Sequence, residues 1–305
     1  MKDTPENSKN NYSPYLALLA VQLTFGSLPV IGKIVLKTIP SLAVVGFRVG
    51  ITALALYLVQ RYRGNMRLAD KKDYLRFAVL SFFGVTFNQI LFITGLSLTK
   101  ASNTSLLAVT IPIFALSFSA ILGIEKLRKM KIAGIVLAAI GVILLIDPRN
   151  ASFSSETTVG DILIVINSFS YGIYVSISKD IITRNGAIKS IAWVFIFSSI
   201  ICVPLGLYSL SGIDVATVSP TIWLLILHVA IVSTLTPYLL NAWALARVNP
   251  STVAVFIYLQ PLIGFFMAIV FLDEKLDFKV FLAAVLIFAG VFLVTKKIAS
   301  KQNLI

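Results

Sequence analysis

Polar side chains that recur inside otherwise uncharged runs are the first candidates for chemistry. Arg48 lies in VVGFRVGITALAL, Asn88 and Gln89 in VTFNQILF, and Asn167, Ser170, Tyr171, Tyr174 and Ser178 in INSFSYGIYVSIS. The last five share one face at helical spacing. Thr234, Tyr238 and Asn241 share another, and Gln22, Phe25, Tyr258 and Gln260 stand in further apolar surroundings. Amides, phenols, aromatic faces and one guanidinium bind solutes well. They do not make a catalyst: there is no P-loop, no GxSxG, no Cys/His metal spacing and no pair of carboxylates within the runs. An enzyme, an ATP-driven pump and a cofactor or metal site therefore find no support.

The elements that must hold these residues are set by charge spacing. No Asp, Glu, Lys or Arg occurs between Lys9 and Lys33, Arg76 and Lys100, Lys100 and Glu125, Lys131 and Asp147, or Asp161 and Lys179. The same holds for Lys189–Asp214, Asp214–Arg247, Arg247–Asp273 and Lys279–Lys296, and Arg48 alone interrupts Lys37–Arg61. A bilayer-spanning helix needs roughly 20 apolar residues at a rise of about 1.5 Å. Ten helices are expected, at 13–35, 39–60, 74–97, 101–123, 130–147, 160–181, 189–209, 220–244, 250–271 and 279–297. Of the 305 residues, 58% are hydrophobic and 13% charged, which leaves nothing for a sizeable domain outside the lipid. The chain reads as an all-α integral membrane protein.

The net charge of +13 could suggest nucleic acid, but the basic residues sit in short loops and tails rather than on a folded patch. With the N-terminus inside, 19 Lys and Arg fall on the inner side and six on the outer. The positive-inside rule then places both termini in the cytoplasm, with polar tails at 1–12 and 298–305. Residues 1–13 lack the regions of a signal peptide. The one cysteine, Cys202, allows no disulfide framework and reads as a small buried residue.

The two halves repeat. A shift of 149 places Pro112 on Pro261, Glu125-Lys126-Leu127 on Glu274-Lys275-Leu276, Gly141-Val142 on Gly290-Val291 and Ser102 on Ser251. Nearer the start of each half a shift of 146 places Gly26 on Gly172 and Lys33 on Lys179. Units at 13–147 and 160–297 with five helices each must enter the bilayer from opposite sides. Inverted repeats of this kind are the architecture of secondary transporters, with the solute site near mid-depth between the halves. Pro112 and Pro261, which free a carbonyl one turn earlier, are candidate hinges, or simply packing irregularities.

On these residues the chain resembles the EamA family of the drug/metabolite transporter superfamily. The repeated Pro-to-Glu-Lys-Leu element, the arginine of the second span and ten spans in two halves carry the resemblance over about residues 15–296. It implies a ten-helix transporter with a central cavity and cytoplasmic termini. Described members mostly export amino acids and related metabolites.

The expected lining comprises Gln22, Phe25, Arg48, Asn88, Gln89, Asn167, Tyr171, Tyr174, Tyr238, Asn241, Tyr258 and Gln260. It suits a zwitterion with an apolar side chain, exported across a bacterial inner membrane by a monomer or homodimer. Nucleotide sugars or other phosphorylated metabolites, and drug efflux, are the alternatives. A phosphate should want more than one buried cation. Arg48, roughly 13 Å deep, contacts either a substrate anion or the carbonyls of a neighbouring helix. His228, the only histidine, reads either as a proton relay or as an interhelical hydrogen bond. Gly46 and Gly50 form a GxxxG, which lets helices approach closely. No Asp or Glu lies deep in a span, so uniport, exchange or export down the solute's own gradient is expected rather than strict proton coupling.

Overall fold

The computed structural model describes residues 12–64, 66–146, 157–263 and 278–296. The polar tails, Asp147 and the second Glu-Lys-Leu (274–276) lie outside the described residues, as does most of the 147–159 connection.

Ten apolar helices follow one another among the described residues, with no strand between them. Seven are long enough to cross a bilayer: Ser13–Leu36, Ser41–Tyr62, Lys72–Leu98, Asn103–Ile121, Thr158–Asn185, Ala187–Ser209 and Pro220–Leu245. The fifth, ninth and tenth are Lys129–Ile146, Pro250–Ile263 and Phe278–Thr295. Hydrocarbon offers no hydrogen bonds, so each span must close its own backbone ladder, and a helix does so locally. Side chains such as Leu16, Leu54, Phe281, Phe288 and Phe292 stay exposed on the outside, where lipid covers them.

The spans form two inverted five-helix repeats whose helices interlock. The second packs along the seventh, the fifth along the tenth, the third along the sixth and the first along the eighth. The third–sixth and eighth–first contacts are the same contact seen from the two halves. Small residues set the closest approaches. Gly46 meets Gly206, so the GxxxG is used inside one chain. Gly134 meets Gly290, and Gly141 meets Ala283 and Ile287.

Irregularities repeat as well. The third and eighth spans each contain one π-helical turn, Phe82–Thr86 and Ile231–Leu235, again offset by 149. Such turns leave backbone groups displaced from the ladder and often mark functional positions. The fourth helix breaks at Ala108–Val109 and the ninth tightens over Phe256–Tyr258, one turn before Pro112 and Pro261. Proline has no N–H for the carbonyl four residues back; the Ala108 carbonyl accepts from Ile111 instead, at 3.0 Å. The two breaks touch each other. Tyr258 Oη donates to the Val109 carbonyl at 2.8 Å, a contact between repeat mates.

Polar ties link helices at both ends of the bundle. At the end rich in Lys and Arg, Glu125 pairs with Lys131 and accepts from Ser251 N at 2.9 Å and Ser251 Oγ at 2.7 Å. The same end buries Asp73 against Arg184 at 2.6 Å and Asn185 at 2.8 Å. At the other end Asp161 accepts from Thr99 at 2.5 Å and Asn103 at 3.1 Å, while Lys33 donates to the Thr99 carbonyl at 2.5 Å. Lys179, the repeat mate of Lys33, donates to Asn249 at 3.3 Å at the basic end.

Candidate functional site

Between the halves lies a cavity with about 880 Å³ of atom-free space, counting its mouth. Its position follows from the repeat. Gln89 and Tyr238, Phe92 and Asn241, Thr104 and Val253, Ala108 and Ile257, and Ile111 and Gln260 all line it, and each pair is offset by 149. Val21 with Asn167, and Phe25 with Tyr171, line it at the offset of 146. Residues that map onto each other under an inverted repeat can meet only around the pseudo-twofold axis, at mid-depth. The cavity is therefore centred on that axis.

Chemically the pairs have diverged. Where the first half supplies Val21, Phe25, Phe92 and Ile111, the second supplies Asn167, Tyr171, Asn241 and Gln260. The first half adds Gln22, Arg48, Asn88 and Ser105, whose mates do not line the space. The result is a site with apolar and amide-bearing walls, the usual composition of a small-molecule pocket.

Most of the amides are already engaged. Gln260 Nε2 donates to Gln22 Oε1 at 2.8 Å, joining the ninth span to the first. Asn167 Nδ2 donates to the Asn88 carbonyl at 2.8 Å, and Asn88 Nδ2 to the Asn167 carbonyl at 3.5 Å. Gln89 donates to Tyr238 Oη at 3.0 Å, which donates on to the Gly84 carbonyl at 3.0 Å, inside the π-helical turn. Asn241 Nδ2 donates to Tyr171 Oη at 2.6 Å. All but the Asn241–Tyr171 bond join spans of opposite halves, so they orient the lining and hold the halves in register. Arg48 is 1% exposed, and its Nε donates to Thr234 Oγ1 at 2.9 Å, inside the other π-helical turn.

Ten of the twelve residues expected to line a cavity do so: Gln22, Phe25, Arg48, Asn88, Gln89, Asn167, Tyr171, Tyr238, Asn241 and Gln260. Tyr174 and Tyr258 do not. Tyr174 packs on Gly84, where a Cβ would come within 2.3 Å of its ring, and Tyr258 bridges the two helix breaks. Ser170 and Ser178 leave the cavity too. Ser170 donates to the Phe83 carbonyl at 2.7 Å. The polar stripe of the sixth span is thus divided: Asn167 and Tyr171 border the space, while Ser170 and Tyr174 face the third span. His228 lies outside the cavity lining, with Nε2 3.4 Å from Ser27 Oγ, where the first span is interrupted between Ser13–Gly26 and Leu28–Leu36.

Residue type alone does not reveal the apolar lining, Phe92, Ile111, Ile164 and Ile257 among it. The repeat does carry part of that signal: Phe92 is the mate of Asn241, and Ile111 that of Gln260.

Known proteins place this geometry. A family model described as the EamA-like transporter family matches residues 13–147 and 158–296. An uncharacterized transporter of Archaeoglobus fulgidus is 26% identical, over 94% of this chain and 99% of its own length. A protein of Escherichia coli K12 named a probable amino-acid metabolite efflux pump is 27% identical, over 91% of this chain and 93% of its own. A crystal structure described only as that of a protein superposes with a TM-score of 0.74 at 17% identity, covering 94% of this chain and 98% of that one, and so shares the fold.

Proposed function

Because the chain belongs to the EamA-like transporter family, a multi-pass membrane transporter and not an enzyme, we propose that it exports small organic metabolites, amino acids or related amphipathic compounds, by alternating access. The observation that supports this reading best is the cavity on the pseudo-twofold axis, lined by repeat-related pairs from both halves. Two inverted copies can exchange conformations, and a site on the axis then faces either side in turn. The Glu125–Lys131–Ser251 tie closes the basic end, and Pro112 and Pro261 mark where the fourth and ninth spans bend. The lining residues form the solute site. The units 13–147 and 160–297 are the moving halves, and a monomer suffices because the GxxxG is used internally. Charge asymmetry supports both termini being cytoplasmic, in a bacterial inner membrane. One guanidinium among neutral amides favours an amino acid over a nucleotide sugar.

The test is efflux from vesicles holding the purified protein and the twenty amino acids, scored by mass. Wild type should release a subset faster than protein-free vesicles do. Ala108→Trp, which puts an indole into the cavity, should abolish that release while the protein still folds. If wild type releases nothing beyond the blank, or Ala108→Trp releases as fast as wild type, the reading fails.

A further inference from the structure

Among the described residues four buried side-chain polar atoms have no hydrogen-bond partner: Arg48 Nη1, Thr86 Oγ1, Ser178 Oγ and Ser190 Oγ. Only Arg48 belongs to the cavity lining. A buried polar atom without a partner calls for an explanation, and an unpaired guanidinium at membrane depth most of all. The surroundings do not supply one. No Asp or Glu lines the cavity among the described residues, and none of the lining amides accepts from Arg48 Nη1; Gln22 accepts from Gln260, while Asn167 and Asn241 donate to the Asn88 carbonyl and to Tyr171. Thr234 occupies Nε and leaves Nη1 without a partner.

Resting on the transport reading, we propose that Arg48 is the carboxylate anchor of the solute site, and that the site reads no ammonium by charge. A carboxylate completes the guanidinium's hydrogen bonds and neutralises its charge in one step. A phosphate carries more charge than a single arginine offsets. A positive group on the solute finds neutral oxygens and aromatic faces, with no carboxylate opposite. The apolar body lies against Phe25, Phe92 and Ile164. The solute class is therefore a small monocarboxylate with an apolar body, its amino group optional. Arg48 has no repeat mate in the lining, so the anchor travels with one half.

Four probes on one scaffold test this: L-phenylalanine, 3-phenylpropionate, L-phenylalaninamide and phenethylamine. Binding is read from the ligand-induced rise in Tm of the purified full chain. Wild type should bind both acids, and the amide and amine roughly 10- to 100-fold more weakly. Phenyl phosphate should bind no better than the acids. Arg48→Gln should erase the preference for acids, whereas Arg48→Lys should keep it at lower affinity. A folded Arg48→Gln protein that still prefers acids overturns the proposal. Should that variant not fold, wild type decides alone: equal binding of acid and amide, tightest binding of phenyl phosphate, loss of binding when the amino group is removed, or binding of none of the four overturns it. Export of amino acids by a protein that binds acid and amide equally removes the anchor and leaves the transport reading. Acid-selective binding without any export does the reverse.

Discussion

Replacing Glu125 by alanine is expected to destabilise the protein by about 3–5 kcal/mol, the usual cost of leaving one partner of a buried pair alone. In a melt this reads as a Tm lower by roughly 10 °C. The carboxylate side chain is 2% exposed and Lys131 13%, so water screens neither well. Removing it also strands the Ser251 N–H at the start of the ninth span, where a helix N-terminus favours negative charge. Because Glu125 and Lys131 belong to one half and Ser251 to the other, the loss should be felt between halves. The basic end should open more often, so that a single cysteine at Val253 in a Cys202→Ser background reacts faster with a water-soluble thiol reagent. The double variant Glu125→Gln with Lys131→Met should be more stable than Glu125→Ala, since no charge is left unpaired. A Tm for Glu125→Ala within a degree of wild type would show that the tie contributes nothing.

The second large effect is expected at Gly290. A Cβ there would lie 2.5 Å from the Gly134 carbonyl oxygen, 2.6 Å from Ala138 Cβ and 2.7 Å from Ala138 N. Two of these three neighbours are backbone, so no rotamer change relieves the contact. Gly290→Ala should force the fifth and tenth helices apart and cost about 3 kcal/mol, the upper end for overpacking. Adding Ala138→Gly should recover part of the loss, because it removes one of the clashing atoms. A Gly290→Ala protein that melts with wild type, or no recovery in the double variant, would contradict this packing.

These expectations differ in how far they could be read from sequence. The spans were legible because charge is expensive in hydrocarbon, and the repeat because Pro, Gly and Glu-Lys-Leu recur at one offset. The π-helical turns were not. Phe82–Thr86 and Ile231–Leu235 contain no shared unusual residue, and only the hydrogen-bond pattern distinguishes them. Within the site, amides in apolar runs located the lining, since an amide facing lipid would go unbonded. Tyr258 misleads for the same reason: a buried phenol needs a partner, but a carbonyl at a helix break serves as well as a solute, while the Tyr174 ring is taken up by packing on Gly84. Asp73 and Glu125 fall between the expected spans, yet both are buried. Their partners, Arg184 and Ser251, are more than a hundred residues away and could not be paired from sequence.

The central claim is that one axial cavity opens to the two sides in turn. It is tested most directly with single cysteines at Thr104 and at its repeat mate Val253, in a Cys202→Ser background. A membrane-impermeant maleimide is applied to each side of sealed vesicles, with and without a solute the protein exports. Both positions should be labelled from each side, and solute should raise labelling from one side while it lowers labelling from the other. Labelling of both positions from one side only, or rates from the two sides that rise and fall together, would contradict alternating access.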